Sequence, residues 1–329
     1  MTKKKLKIGL LGASKIAPRA IMTPCENINT IEIHGIAASS LKKAQDFADQ
    51  YNIPFYTGSY HELMLNDEID AIYIGLKNDM HYQHALDAIR NKKHVLVEKP
   101  LCLSYSEFAE IKNLGLKNNV IVMEAIMVEH HPWQAKIAEL LEKKIYGNVV
   151  KLTSNIKYEL QDKTDFRYAA EHGGGAYYDI GCYSLQFIQQ AIGLDFQSIE
   201  CFVNETGKNK NTIDFTAKCI THNGVQIEIN CSFTKPSEAR HIIECERGLI
   251  EVKNWFRAGF GYNKMYIHCT NKNTGVTEKI SFEPMNFYHN QLVNFSERIN
   301  RNAFPTEHLD ACGERIRLIE VFQTVQKKA

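Results

Sequence analysis

The sequence predicts two kinds of sheet in one chain. The first is a doubly wound parallel sheet of the α/β class; the second, of the α+β class, is an open and mostly antiparallel sheet. Three observations lead there. Over the first hundred residues, short β-branched runs alternate with helical stretches, as parallel strands joined by crossover helices require. From Asn148 onward apolar and polar residues alternate, as in Val149-Val150-Lys151-Leu152-Thr153-Ser154-Asn155-Ile156-Lys157-Tyr158, the pattern of a half-buried strand. Later strand-like runs at 198–203, 212–220, 225–233, 238–246 and 264–270 are separated by turns such as Asn223-Gly224 and Arg247-Gly248, which favour hairpins.

Composition narrows the class. The 329 residues are 44% hydrophobic and 23% charged with a net charge of +1, enough chain for two ordinary domains and no global field suited to nucleic acid or an anionic membrane. No apolar segment reaches the length of a membrane span, and none follows Met1 as a leader would. The nine cysteines (Cys25, Cys102, Cys182, Cys201, Cys219, Cys231, Cys245, Cys269 and Cys312) are odd in number and contain no C-x-x-C pair. Buried, reduced thiols in the cytoplasm are expected.

The first strand, Leu6-Lys7-Ile8-Gly9-Leu10-Leu11, runs into Gly12-Ala13-Ser14-Lys15-Ile16-Ala17. This is a dinucleotide fingerprint with substitutions. Gly12 holds the first glycine place, Ser14 the second and Ala17 the third, so backbone N–H groups around Ser14, Lys15 and Ile16 can face a pyrophosphate. The expected fold of the first domain is therefore Rossmann. The second strand ends not in an acid but in Ser39-Ser40-Leu41-Lys42-Lys43. A carboxylate there would bind a ribose 2′-hydroxyl, whereas hydroxyls and cations suit a 2′-phosphate. Ser39, Ser40 and Lys42 thus favour NADP(H) over NAD(H).

A strand at 69–74 leads to the polar loop Lys77-Asn78-Asp79-Met80-His81. Asn78 and His81 are candidates to touch cofactor or substrate, unless Asn78 or Asp79 caps the following helix, 82–91. Then comes His94-Val95-Leu96-Val97-Glu98-Lys99-Pro100, a buried strand ending in a carboxylate and an amine. Ligands in such sheets bind at the carboxyl ends of strands, and a lysine there can polarise a carbonyl or pass a proton. A strand at 120–123 precedes Glu129-His130-His131-Pro132. With no H-E-x-x-H spacing and no third ligand nearby, that stretch suggests a substrate contact or a helix cap and no metal. A helix at 133–144 follows.

The second landmark is Gly173-Gly174-Gly175-Ala176-Tyr177-Tyr178-Asp179-Ile180-Gly181-Cys182-Tyr183, opening a helix to about residue 191. Three glycines admit close backbone approach to a ligand. Asp179, Tyr183 and Gln186 fall at i, i+4 and i+7 on one helical face. Final helices are expected at 288–301 and 308–327.

Taken in order, these motifs resemble the Gfo/Idh/MocA family of glucose–fructose oxidoreductase, inositol dehydrogenase and the rhizopine catabolism protein. The matching residues are Gly12 to Ala17, Asn78 with His81, Glu98-Lys99-Pro100 and the glycine-rich stretch. Many relatives carry Asp and His four residues apart where this chain has Asp179 and Tyr183. It is therefore similar to the subgroup of glucose–fructose oxidoreductase, dimeric dihydrodiol dehydrogenase and nucleotide-sugar 3-ketoreductases. The resemblance implies an oxidoreductase acting on a sugar, nucleotide sugar or polyol, with Tyr183 as proton donor and Lys99 beside it. Asp179 would orient the substrate or Lys99, Glu98 would contact cofactor ribose, and His130 and Arg167 would contact substrate. It implies a cofactor domain over 1–123 and a substrate and oligomer domain over 124–329, the final helices able to pack back on the first. A homodimer or homotetramer through the open sheet would follow. The rival class is a sensor of nucleotide or sugar on the same fold, which would have no need of Lys99 and Tyr183 together.

Overall fold

The computed structural model describes residues 5–206, 211–301 and 307–328. The chain divides into two compact units, Met1–Ile126 with Tyr288–Ile316, and Met127–Phe287 with Arg317–Ala329.

In the first unit, β1 (Leu6–Leu11), β2 (Ile31–Ala37), β3 (Phe55–Thr57), β4 (Ala71–Ile74), β5 (His94–Glu98) and β6 (Val122–Ala125) form one sheet in the order β3-β2-β1-β4-β5-β6. Every pairing is parallel. This is the doubly wound Rossmann arrangement, and its order reverses between β1 and β4, where such sheets open a crevice at their strand ends. All four residues of β4 and the centre of β5 are buried, as strands covered on both faces must be. Helix Leu41–Tyr51 is capped by Ser40, which accepts the Lys43 N–H, and ends on Asn52 in the left-handed region. Helix Tyr105–Asn118, which the sequence reading did not single out, starts on Ser104 and Glu107. The Glu107 side chain reaches back to the Leu103 N–H, and the pair resembles a capping box. The core includes Ile72, Ile74, Val95, Val97 and Ile111 together with Leu309, Cys312 and Ile316 from the helix Glu307–Val325.

The second unit holds a nine-stranded sheet. Its strands are β7 (Val149–Lys157), β8 (Phe196–Thr206), β9 (Asn211–Thr221), β10 (Gln226–Ser232), β11 (Glu238–Cys245), β12 (Gly248–Lys253), β13 (Met265–Asn271), β14 (Thr277–Phe282) and β15 (Gln326–Lys328). Their order is β14-β13-β12-β11-β7-β10-β9-β8-β15. The pairings are antiparallel except β10 with β7 and β15 with β8, giving the mostly antiparallel open sheet that the alternating pattern predicts. Burial along β7 alternates. The sheet's inward side meets the helices Pro132–Glu142, against β13, and Cys182–Ile192, against β7, where Trp133, Phe187, His241 and Trp255 stack, the Phe187 and His241 centroids 3.9 Å apart. All nine cysteines are free and buried.

Three expectations need correction. The last helix stops at Val325 rather than running to Lys327, because 326–328 gain a ladder with Cys201 to Val203 of β8. The turn after Gly12 does not open an ordinary helix. Pro24 lacks the N–H that an α-helical bond to the Ala20 carbonyl would need, and the chain forms a π-helical turn, Pro18–Met22, closed by the Thr23 N–H to the Pro18 carbonyl, before the short helix Thr23–Cys25. Nor do Asp179, Tyr183 and Gln186 share one face of a single α-helix, since Asp179 lies in the π-helical turn Tyr177–Gly181.

Candidate active site

The candidate residues fall into a cofactor set in the first unit and a substrate set in the second. In the first, Gly12 adopts φ +98°, and a Cβ there would lie 2.8 Å from Leu76 Cδ2 and 3.1 Å from the Gly75 carbonyl. The turn is anchored by the Gly12 N–H to the Ala37 carbonyl. Beyond it, Ser14 Oγ is sequestered without a hydrogen-bond partner, and Lys15 is exposed with Ile16 behind it. A bare left-handed turn next to an unsatisfied buried hydroxyl fits a pyrophosphate, whose oxygens would take up the hydroxyl and the turn's amides.

At the end of β2 the hydroxyls and cations have divided. Ser40 caps its helix and Lys42 is paired with Asp46 one turn on. Exposed Ser39 and Lys43 face each other at 3.2 Å. A 2′-phosphate would fit Ser39 and Lys43 without breaking a helix cap.

Asn78 is buried as the first residue of the helix Asn78–Arg90, with Lys77 in the cap position, so neither Asn78 nor Asp79 caps it. His81 is fully buried, its Nδ1 2.7 Å from the Pro100 carbonyl and its Nε2 3.2 Å from the Leu76 carbonyl. Burial pulls its pKa below the ordinary imidazole value, against the opposing pull of the two carbonyls. A neutral ring donates once, and the shorter contact, to Pro100, takes the proton.

At the carboxyl end of β5, half-buried Glu98 accepts a 2.8 Å bond from the Tyr73 hydroxyl, and half-buried Lys99 follows, joined to Pro100 by a cis peptide. Burial, then the charge of Glu98, pushes both the Tyr73 and Tyr288 phenols up. Two neutral phenols therefore flank a carboxylate. Sequence reading missed them, because a lone tyrosine in an apolar strand looks like core.

In the second unit, Asp179 is buried and held from two sides. The Tyr158 hydroxyl donates to Oδ2 at 2.7 Å, and Arg167 Nε lies 3.0 Å from Oδ1, an ion pair without hydrogen-bond alignment. Arg167 also donates to both oxygens of Asp165 and lies over the Phe166 ring, its guanidinium carbon 4.8 Å from the centroid. Burial opposes the Arg167 charge, but Asp179 and its neighbours outweigh it and its pKa is raised. Tyr158 is pushed up by burial and then by Asp179. Arg167 is thus first a counterion, bracketed by two carboxylates.

Tyr183, buried in the first turn of its helix, meets Phe256 edge-on at 4.9 Å with Trp255 5.9 Å away. Gln186 is not beside Asp179; it exchanges two 2.8 Å bonds with Gln134 and ties two helices together. Within the glycine run, Gly174 admits the chain itself: a Cβ there would lie 2.6–2.7 Å from the carbonyls of Phe166, Arg167 and Ala169. His130 is half-buried at the end of a 3₁₀ turn, while His131 caps the next helix by accepting the Trp133 N–H. Among the described residues no three His, Cys, Asp or Glu side chains gather as a metal site would need.

A phosphate-fitting turn on β1 and an amine at the end of β5 define a dinucleotide-dependent oxidoreductase by class. The chain belongs to the Gfo/Idh/MocA family. Residues 6–126 match its "Oxidoreductase family, NAD-binding Rossmann fold" and residues 134–251 its C-terminal domain. It is 30% identical over 261 residues to trans-1,2-dihydrobenzene-1,2-diol dehydrogenase of Xenopus laevis, covering 78% of this chain and 76% of that one. It is 27% identical over 303 residues, 91% of each chain, to D-xylose 1-dehydrogenase (NADP(+)) 2 of Haloferax volcanii. A solved 3-ketoreductase from Actinomadura kijaniata, in complex with NADP and TDP-benzene, superposes with a TM-score of 0.93 over 99% of each chain at 20% identity. That last likeness shows the fold.

Proposed function

We propose that this oxidoreductase uses NADP(H) to interconvert a carbonyl and a hydroxyl on a sugar, nucleotide sugar or related polyol. The observation that carries this reading is the cation Lys99 at the carboxyl end of β5, in the same sheet as the bare Gly12 turn. Support comes from the relatives, whose names include NADP, xylose and a dihydrodiol. When bound, the nicotinamide supplies or accepts the hydride.

The chain's own residues do the rest. Tyr183 gives its phenolic proton to the developing alkoxide. Lys99 hydrogen-bonds that oxygen or the phenol, lowering a pKa that is ordinarily about 10. A positioned donor of this kind contributes about 10²–10⁴-fold in rate. Asp179, fixed by Tyr158 and Arg167, orients the substrate or the Lys99 ammonium, and His130 and Arg167 shape the substrate's surroundings. Gly12, Ser14, Lys15 and Ile16 hold the pyrophosphate. Ser39 and Lys43, with Ser40 and Lys42 at their side, take the 2′-phosphate. Asn78 and Glu98 line the nicotinamide end, while His81, fully buried with both ring nitrogens against backbone carbonyls, supports that end from behind rather than touching the cofactor. Residues 1–123 serve the cofactor, and 124–329 serve the substrate and a dimer or tetramer built through the open sheet.

The test titrates NADPH and NADH by nicotinamide fluorescence and assays the parent and Lys99→Ala on a panel of sugars. Tighter NADPH binding is expected, with turnover lost in the variant by at least a hundredfold. NADH preference would overturn the Ser39–Lys43 assignment and leave the proton chemistry standing. Binding without turnover on any sugar would favour a sensor.

A further inference from the structure

The peptide group joining Pro100 to Leu101, directly behind Lys99, has both of its polar atoms held by buried side chains. Its carbonyl meets His81 Nδ1 at 2.7 Å and its N–H donates to Glu124 Oε1 at 3.1 Å. The other carboxylate oxygen of Glu124 accepts from Arg315 Nη2 at 2.7 Å, and the Glu124 and Arg315 side chains are only 3% and 4% exposed. Three elements far apart in sequence therefore converge on one peptide plane: the helix Asn78–Arg90, β6 and the helix Glu307–Val325.

A buried ion pair is a poor way to dock a helix. Desolvation consumes most of its attraction, and apolar side chains of similar volume often do as well or better. The helix has other anchors in any case. Leu309, Cys312 and Ile316 sit in the apolar core, Lys112 pairs with Asp310, and a Cβ on Gly313 would come within 2.3 Å of the Phe108 ring. What no apolar pair supplies is an acceptor for the Leu101 N–H, whose burial unbonded would be costly.

We infer that Glu124, held by Arg315, is a positioning residue for Lys99. Opposite His81, it fixes the Pro100–Leu101 peptide plane and with it the direction in which Lys99 leaves the end of β5. This rests on the reading of Lys99 as the catalytic ammonium.

Two double variants separate the acceptor from the ion pair. Glu124→Leu with Arg315→Met removes both; Glu124→Gln with Arg315→Met removes the charges but keeps a carbonyl oxygen for Leu101. A displacement of about 1 Å in a reacting group can cost 10²-fold, so a loss of about tenfold in kcat is expected for the first variant. Its sugar KM and NADPH Kd should stay within about twofold of the parent, and the Leu101 amide should exchange hydrogen faster. The second variant should match the parent in all four. Equal kcat in the two variants, or parental kcat in the first, overturns the inference. Should the first not fold, Glu124→Ala assayed with and without formate decides it: recovery of kcat supports the inference and no recovery overturns it. Failure of the Lys99 reading would show separately, as turnover surviving in Lys99→Ala whatever the Leu101 amide does.

Discussion

Every residue of β4, from Ala71 to Ile74, is buried, whereas along β7 burial alternates and Lys151, Asn155 and Lys157 reach out to Glu228, Asn230 and Glu238 on neighbouring strands. A strand covered on both faces has few side chains to offer a ligand, so the candidate residues of the first unit lie at its strand ends. They are the backbone turn at Gly12 and the short run Glu98-Lys99. In the second unit the candidate side chains come from the segments next to β7 rather than from a strand: buried Asp179 in a π-helical turn is held by Tyr158, just past β7, and by Arg167 in a 3₁₀ turn. The first candidate set is built largely from main chain and the second from side-chain contacts. They should fail in different ways.

The largest effect expected is at the turn. Gly12→Val places a branched side chain at φ +98° and against Leu76 and the Gly75 carbonyl, so NADPH affinity should fall by at least a hundredfold in a fluorescence titration. Parental affinity would mean that the turn is not where the pyrophosphate lies. Next comes Tyr158→Phe, which deletes one donor to Asp179 and almost no volume. A bond to a charged group is worth about 1.5–3 kcal/mol, so kcat/KM should drop about tenfold with NADPH Kd unchanged. A change in NADPH Kd of the same size would erase the distinction between the two sets. The smallest effect belongs to the outward face of the nine-stranded sheet. Lys151→Met breaks a half-exposed pair with Glu228, for which about 0.5 kcal/mol or less is expected, read as a nearly unchanged Tm. A large drop in Tm would indicate that the proposed oligomer covers this pair; the small change expected leaves the oligomer's contact to other strands of the open sheet.

What the sequence made legible follows the same division. Val95 to Val97 ending in Glu98-Lys99 can be read directly, because a β-branched run and an abrupt pair of charges are adjacent along the chain. The strands β12 and β14 were not singled out. The first follows a turn without a break in pattern, and the second, Thr277–Phe282, is mostly exposed, with Ile280 and Phe282 its only apolar residues. Tyr158, Arg167 and Asp179 were visible only as separate polar residues, since their convergence depends on how the loop after β7 folds over the glycine run. Glu124 and Arg315 lie 191 residues apart, and nothing local marks either as more than a charge beside apolar neighbours. The glycine run marks close backbone approach, and at Gly174 the approach is to the chain's own carbonyls.

The short strand β15 bears on how the protein is handled at the bench. Gln326 to Lys328 lie alongside Cys201, Phe202 and Val203 of the eleven-residue β8, covering part of a strand that would otherwise be a bare edge. Edges of that length recruit other chains, and short, lysine-bearing strands are a common means of blunting them. Lys327 also lies over the Phe202 ring, its ammonium 6.0 Å from the centroid, so the short strand blunts this edge with charge as well as with pairing. Any change that unpairs Gln326 to Lys328 from β8 should therefore be followed by light scattering rather than by activity alone.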